Sequence, residues 1–522
     1  MIPNYMAFES FALQFSELGG HRVFGVPGGG PSLELITQVE RRGGVFSATG
    51  HEAVAALMAG AYARQTGRLA ACVSIKGPGF MNLAPGLLCN SYEGYPCLSI
   101  SEAYPCRELT GRRHKWLQHR SVAGCFLRGM YGFSEDSSSV ADIWRSATTE
   151  CPGPVHMDLV PDYPEDIGAP PERQAPSPIA WRSIVAAARR PALLVGSWAL
   201  RSHWSRRLSA LRVPIFTTAA GKGALSENLP SCAGVCTGDG KPSTPEKRLL
   251  PHTDLLICLG VRSGEMLSAS APHGNAVWFD APNLASRGVF PEDVLGLRAT
   301  ALTDVDAEEL LEALAEKTWG MEETAAALRY MDESVVDWPD SPREAIRAVS
   351  QRLPGAAHIV DTGNFTVWVE HFLRVDRARD ITGTPNGRYL GAGVGYALGT
   401  ALARTPEPAV LWIGDGGIRA NFAELALAVD HALPLLVIVM SDGYYGSIRS
   451  RARALGWSQR PLVLPNHRLV RAADTIGFAT WKATSAVELD EAVAQWQRSG
   501  APGLIEYQLD PDMYVDFTER LR

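Results

Sequence analysis

Two carboxylates set 27 positions apart, Asp415 and Asp442, are the residues whose spacing speaks most directly to chemistry. Asp415 lies in Gly414-Asp415-Gly416-Gly417, directly after the apolar run AVLWI, and Asp442 follows the run LPLLVIVM at the head of DGYYGS. Each run reads as a buried strand, and one helix fits between them, so both carboxylates should emerge side by side at neighbouring strand ends, where parallel sheets bind ligands. Two carboxylates and a backbone carbonyl such as that of Tyr444 are hard oxygen ligands of the kind Mg²⁺ takes, the ion keeping water and phosphate oxygens for its other positions. The glycines beside Asp415 let the backbone approach a phosphate closely. A helix with Phe422, Leu425, Ala426 and Val429 on one face is expected to turn its positive end the same way. Gly-Asp-Gly alone says little. A second copy, Gly238-Asp239-Gly240, has Met266 at the same interval, which offers no such ligand, and it reads as a turn.

The elements that must position these groups alternate short β-rich runs with helical patterns throughout, the grammar of α/β domains with parallel sheets flanked by helices. In the first third RVFG, VFSATG, LAACVS and GPVHMDLVPD read as strands, and HEAVAALMAGAYARQTG as a helix of small residues that opens on Glu52. The Pro-rich stretch EDIGAPPERQAPSPIA reads as a linker, and DWPDSPRE marks a second boundary. Three domains are expected, at residues 1–165, 181–335 and 340–522, in keeping with about 150 residues per domain.

The bulk composition removes several classes. With 46% hydrophobic and 20% charged residues the chain reads as globular, and a net charge of −7 gives no sign of a nucleic-acid surface. The basic cluster Arg112, Arg113, His114 and Lys115 reads as a solvated loop. No apolar run approaches the roughly 18 residues that span a bilayer, and MIPNYMAFES lacks a signal-peptide pattern, so a cytoplasmic protein without membrane contact is expected. The nine cysteines include no Cys-x-x-Cys pair, which points to neither a disulfide framework nor a zinc site.

Taken together, VFGVPGG, then ATGHEAVAALMAGAYARQTG, then IKGPGFMN, then NGRYLGAGVGYALG, and finally Gly-Asp-Gly with its partner at Asp442 resemble, in order, the thiamine-diphosphate-dependent enzymes of the acetolactate synthase, pyruvate decarboxylase and benzoylformate decarboxylase superfamily. Ser441-Asp442 stands where that family has Asn-Asn, which keeps an oxygen ligand and adds a charge. The resemblance implies a pyrimidine-binding, a middle and a diphosphate-binding domain. It implies that Asp415, Asp442 and the Tyr444 carbonyl hold Mg²⁺, and that Pro27, Gly28, Gly391, Gly414, Gly416, Gly417, Tyr444, Tyr445 and Gly446 contact the cofactor. Leu390 falls at the position of the bulky apolar residue beneath the cofactor rings. Glu52 becomes the residue that holds N1′ of the aminopyrimidine, where a carboxyl is needed because protonating N1′ makes the 4′-amine acidic enough to serve, once deprotonated, as the base at C2. Active sites in the family lie between subunits, so a homodimer or homotetramer is implied. The middle region has no clear match to the family's flavin-contacting segments, and FAD gains no support.

Departures from the family bear on the reaction. Relatives of pyruvate decarboxylase protonate the carbanion with an acid in the first Pro-Gly loop, a His-His pair and a Glu after the Asn-Asn motif. Here the loop reads Pro27-Gly28-Gly29-Gly30, no His-His occurs, and Ile448 stands at the Glu position. Few proton donors favour capture of a carbonyl acceptor by the acyl carbanion of a 2-oxo acid, in the manner of acetolactate synthases, which Gln118 also matches as a pocket glutamine. The alternative is a decarboxylase or lyase that releases aldehyde and CO₂. A non-catalytic relative would not need Glu52, Asp415 and Asp442 together. Lys76, ahead of Gly77-Pro78-Gly79, reads as a solvated lysine or a binder of a substrate carboxylate, and His51, His114 and His119 as pocket donors or ordinary surface histidines.

Overall fold

The computed structural model describes residues 5–104, 115–133, 139–159, 180–262, 265, 273–281, 298–465 and 468–522. His114, Met266 and most of the expected linker fall outside them. Three six-stranded sheets, every pairing parallel, follow one another along the chain. The first is built from β1 (Arg22–Gly25), β2 (Val45–Ala48), β3 (Ala70–Ser74), β4 (Leu98–Ser101), β5 (Met130–Gly132) and β6 (Val155–Asp158). The second uses β7 (Pro191–Val195), β8 (Ile215–Thr217), β9 (Cys232–Val235), β10 (Leu255–Leu259), β11 (Ala276–Asp280) and β12 (Arg298–Ala301). The third uses β13 (Ala357–Val360), β14 (Ile381–Gly383), β15 (Ala409–Gly414), β16 (Leu435–Ser441), β17 (Ala479–Ala483) and β18 (Gly503–Gln508). Many strands, β3, β7 and β10 among them, are buried along their whole length, and β15 and β16 along all but the last residue, which is why they read as continuous apolar runs. Among the described residues no helix is long and apolar enough to cross a membrane.

The first and third sheets share one strand order, β2-β1-β3-β4-β6-β5 and β14-β13-β15-β16-β18-β17. In such a sheet the order reverses between the first and third strands, and the crevice outside their carboxyl ends is the natural ligand seat. The chain leaves β1 into Pro27-Gly28 and β3 into Ile75-Lys76-Gly77, whereas β13 ends before Asp361 and β15 before Asp415. The motif residues therefore gather at the two switch points because of topology, not because they are near in sequence. The second sheet has a different order, β12-β11-β10-β7-β8-β9, with its reversal between β7 and β10.

One apolar core joins the first and third regions: Val54, Leu57 and Met58 share it with Val394, Leu398, Leu411 and Val437. Its centre is the contact of the Glu52–Thr66 helix with the Ala392–Arg404 helix. These segments are rich in Ala and Gly because the helices touch at backbone distance. A Cβ on Gly399 would lie 2.4 Å from the Met58 carbonyl oxygen, and one on Gly395 2.7 Å from Leu57 Cβ. Gly399→Leu is expected to destabilise the protein by about 2–3 kcal/mol, since the obstacle is backbone and the helices must part. Gly274→Ala, which meets nothing within 4 Å, should cost less than about 0.5 kcal/mol. Thermal unfolding of the two variants checks the contrast.

Candidate active site

Parallel pairing of β15 with β16 sets Gly414 opposite Met440, so Asp415 and Asp442 leave adjacent strand ends. The Asp415 carboxylate accepts hydrogen bonds from the Gly443 N–H (2.8 Å), the Gly416 N–H (2.9 Å) and the Ser441 hydroxyl (3.3 Å). One oxygen of Asp442 accepts from the Tyr444 N–H at 3.0 Å. Burial pushes the Asp415 carboxyl up to about 6. Burial and then the Asp415 charge push that of Asp442 up to about 7. Two buried like charges side by side are a standing demand for a cation.

A cleft of about 240 Å³ opens beside them, lined by Leu390, Gly414, Asp415, Gly416, Gly417, Asp442, Tyr444, Tyr445 and Gly446, together with Ile448 and a floor from the third region's 362–365 segment and Tyr514. Three buried polar atoms of these lining residues have no hydrogen-bond partner in the chain: Asp442 Oδ2, Asn364 Nδ2 and the Tyr514 hydroxyl. An unpaired acceptor and unpaired donors facing one cleft are what a cation and a phosphate group satisfy, and leaving them unmade costs about 1–3 kcal/mol each. Leu390 is 39% exposed there. The next residue, Gly391, turns the chain at φ +86° and donates its N–H to Asp361, whose carboxyl burial raises to about 7. Asp361 also takes the Gly393 N–H and abuts Gly417, bracing both walls of the cleft.

The helix expected after Gly-Asp-Gly is not continuous. One short helix spans Asp415–Ile418, a 3₁₀ turn Phe422–Leu425 and another short helix Ala426–Asp430. The break falls at Asn421, whose side chain leaves the helical path to donate to the Gly391 carbonyl. The second Gly-Asp-Gly is a turn closed by its own acid: Glu246 accepts the N–H groups of Thr237, Gly238 and Gly240.

Glu52, Pro27, Gly28 and Gln118 are not part of that cleft. Glu52 is the first residue of its helix and buried, with Oε2 accepting from Asn82 at 3.0 Å and Oε1 facing Gly79. His51 caps the same helix by accepting the Ala53 N–H. The turn before Glu52 is held from the third region: Glu424 accepts the Gly50 N–H at 3.0 Å. The Pro-Gly loop rests on Glu102, which accepts from the Ser32 hydroxyl (2.7 Å) and from Lys76 (3.2 Å), and a Cβ on Gly28 would lie 2.5 Å from its Oε1. Lys76 is thus an ion-pair partner packed over the Tyr104 ring. Gln118 is exposed and accepts from Ser121. His119 is buried against Asp158. Sequence reasoning missed Glu102, Asp361 and Glu424; only Asp361 carried a visible signal, an acid at the end of the strand-like run HIV before Thr-Gly.

Matches to known families cover the same three regions. Residues 7–123, 181–292 and 361–507 fit, respectively, the N-terminal thiamine pyrophosphate binding domain, the central domain and the C-terminal thiamine pyrophosphate binding domain of the thiamine pyrophosphate enzymes. The chain belongs to the thiamine pyrophosphate enzyme family. It is 23% identical to a probable acetolactate synthase large subunit of Methanococcus aeolicus over 94% of this chain and 89% of the relative. The counterpart in Methanocaldococcus jannaschii is 24% identical with the same coverage. A putative thiamine pyrophosphate-containing protein of Bacillus subtilis is 24% identical over 97% of this chain and 92% of that protein. In this thiamine pyrophosphate enzyme the Glu424 contact ties the two cofactor-binding regions of one chain. Replacing Glu424 by Ala removes the acceptor of the Gly50 N–H and should lower stability by about 1–3 kcal/mol in a denaturant titration, with Glu424→Gln losing less because an acceptor oxygen remains.

Proposed function

We propose that this protein is a Mg²⁺- and thiamine-diphosphate-dependent carboligase that cleaves the C1–C2 bond of a 2-oxo acid and passes the acyl carbanion equivalent to a carbonyl acceptor. The observation that carries the reading is the set of unpartnered buried atoms, Asp442 Oδ2, Asn364 Nδ2 and the Tyr514 hydroxyl, around one glycine-lined cleft. Asp415, Asp442 and the Tyr444 carbonyl would hold the ion, with Asn364 and the backbone of Gly414, Gly416, Gly417 and Gly446 near the diphosphate. Leu390 would support the rings from below. Bound thiamine diphosphate supplies the carbanion chemistry at its C2 carbon. Glu52, buried at the start of its helix, would hold N1′ and supply its proton.

Within one chain the cleft at Asp415 is lined by residues of the third region, and Glu52 is not among them. A complete site therefore takes Glu52 from one copy and Asp415 from another, which makes a homodimer the smallest competent unit. Names of the relatives, several of them acetolactate synthases, and the scarcity of acids support carboligation over aldehyde release. Ile448 lines the cleft where an acid would otherwise stand, and Glu102, the carboxyl group that does reach the Pro-Gly loop, is engaged as an acceptor by Ser32 and Lys76.

Three measurements bear on this reading. In calorimetry, Asp415→Ala is expected to abolish Mg²⁺-dependent cofactor binding, whereas Asp442→Asn should bind within about tenfold of the parent, because an amide oxygen remains a ligand. Mixing inactive Glu52→Gln with inactive Asp415→Ala subunits should restore about a quarter of the parent activity, since half of randomly paired dimers contain one intact site. Incubation with cofactor, Mg²⁺ and a panel of 2-oxo acids and aldehyde or ketone acceptors should yield new carbon–carbon bonds, with free aldehyde a minor product by mass spectrometry. Stoichiometric aldehyde and CO₂ across the whole panel would place the enzyme among the decarboxylases instead.

A further inference from the structure

Behind the Gly77-Pro78-Gly79 turn lies a buried cluster of His119, His156 and Asp158. Asp158 ends β6, and its Oδ1 lies 2.6 Å from His119 Nδ1 and 3.0 Å from His156 Nε2. Phe80 stacks on His119 with ring centres 4.0 Å apart and meets His156 edge-on. The outer hydrogen bonds define what the cluster is. His119 Nε2 accepts the N–H of Gly77 at 3.3 Å, so that nitrogen carries no proton and Nδ1 is the donor to Asp158. A metal-bound imidazole has the opposite arrangement, with its second nitrogen donating outward. The cluster is therefore a hydrogen-bonded brace and not a cation cage.

What it braces is the floor under Glu52. Gly77 sits at φ +65° and ψ −107°, and a Cβ there would lie 2.1 Å from the Lys115 carbonyl oxygen, so the turn has no side chain of its own to anchor it. Two residues on, Gly79 passes beneath Glu52, where a Cβ would lie 3.2 Å from Oε1. One helical turn further, Asn82 donates to Glu52 Oε2. The same Pro78–Glu93 helix thus contacts His119 through Gly77 and Phe80 at its start and Glu52 through Gly79 and Asn82 a few residues later.

We propose that His119, oriented by Asp158, is a positioning residue for the Glu52 carboxyl, acting through the Gly77-Pro78-Gly79 turn. The inference rests on the reading of Glu52 as the acid at N1′. Asp158 fixes the imidazole in the tautomer whose Nε2 lone pair takes the Gly77 N–H. That bond sets the height and tilt of the first helical turn, and with it the distance of Asn82 and Gly79 from Glu52. A shift of well under 1 Å there misaligns a group whose hydrogen bond must be short and straight to work.

Two variants separate the halves of the brace. Asn at position 119 reaches only the place of Nδ1 and keeps the link to Asp158. Gln reaches the place of Nε2 with an acceptor oxygen and keeps the link to Gly77. In cofactor-free protein, His119→Asn should raise amide hydrogen exchange of the segment 76–80 about tenfold by mass spectrometry, and His119→Gln should restore most of the protection. With bound cofactor, the C2 hydrogen–deuterium exchange rate, read by quench and proton NMR, should fall about tenfold in His119→Asn at nearly unchanged cofactor affinity, and recover in His119→Gln. Exchange at C2 within about twofold of the parent in His119→Asn, with Glu52→Gln slowing it about 100-fold, would overturn the positioning role alone. Equal losses in both His119 variants that track their melting temperatures would also overturn it, in favour of plain structural support. Unchanged C2 exchange in Glu52→Gln would remove the reading of Glu52 and this inference with it.

Discussion

The close contact between two glycine- and alanine-rich helices, Glu52–Thr66 and Ala392–Arg404, is the constraint on which the rest of the molecule depends. At backbone distance there is no room for a side chain to adjust, so the first and third sheets are locked in one relative position. That position sets the Glu52 turn against Glu424, while the cleft at Asp415 is lined by residues of the third region and not by Glu52 of the same chain.

Much of this was legible in the sequence because buried parallel strands leave an unmistakable trace. The runs before Asp415 and Asp442 are apolar on both faces, and the interval between them is the length of one crossover, so adjacent strand ends follow from counting. Short strands such as β5 and β14, three residues each, leave no comparable trace. The helix after Gly-Asp-Gly was misjudged because its apolar spacing is right, while the break depends on Asn421 finding the Gly391 carbonyl, 30 positions away. Asp361 and Glu424 escape notice for the same reason. Each is an ordinary acid whose meaning lies in backbone N–H groups supplied by another part of the chain.

Carboxylates recur in this protein at places where glycine turns expose N–H groups. Glu246 closes the Gly238-Asp239-Gly240 turn. At the reversal point of the middle sheet Glu265 accepts the Ser197 N–H and the Thr218 hydroxyl between the ends of β7 and β10. In both places the chain's own acid takes up donors that an anionic ligand would use. At Asp415 the balance is inverted: the turn carries two acids of its own and leaves an oxygen of Asp442 unmatched. The same local grammar yields a closed turn or an open site according to whether an internal partner is supplied.

The shared core has a consequence for how the chain comes together. Val54 and Leu57 pack in one cluster with Leu398 and Leu411, whereas the middle region has clusters of its own around Leu193, Ile257 and Trp278. The shared core is therefore built not from one stretch of sequence but from two distant ones, with a region that has clusters of its own between them. On a chain emerging from the ribosome, the face of the Glu52–Thr66 helix that packs on the Ala392–Arg404 helix has no cover from that helix until the last third is made.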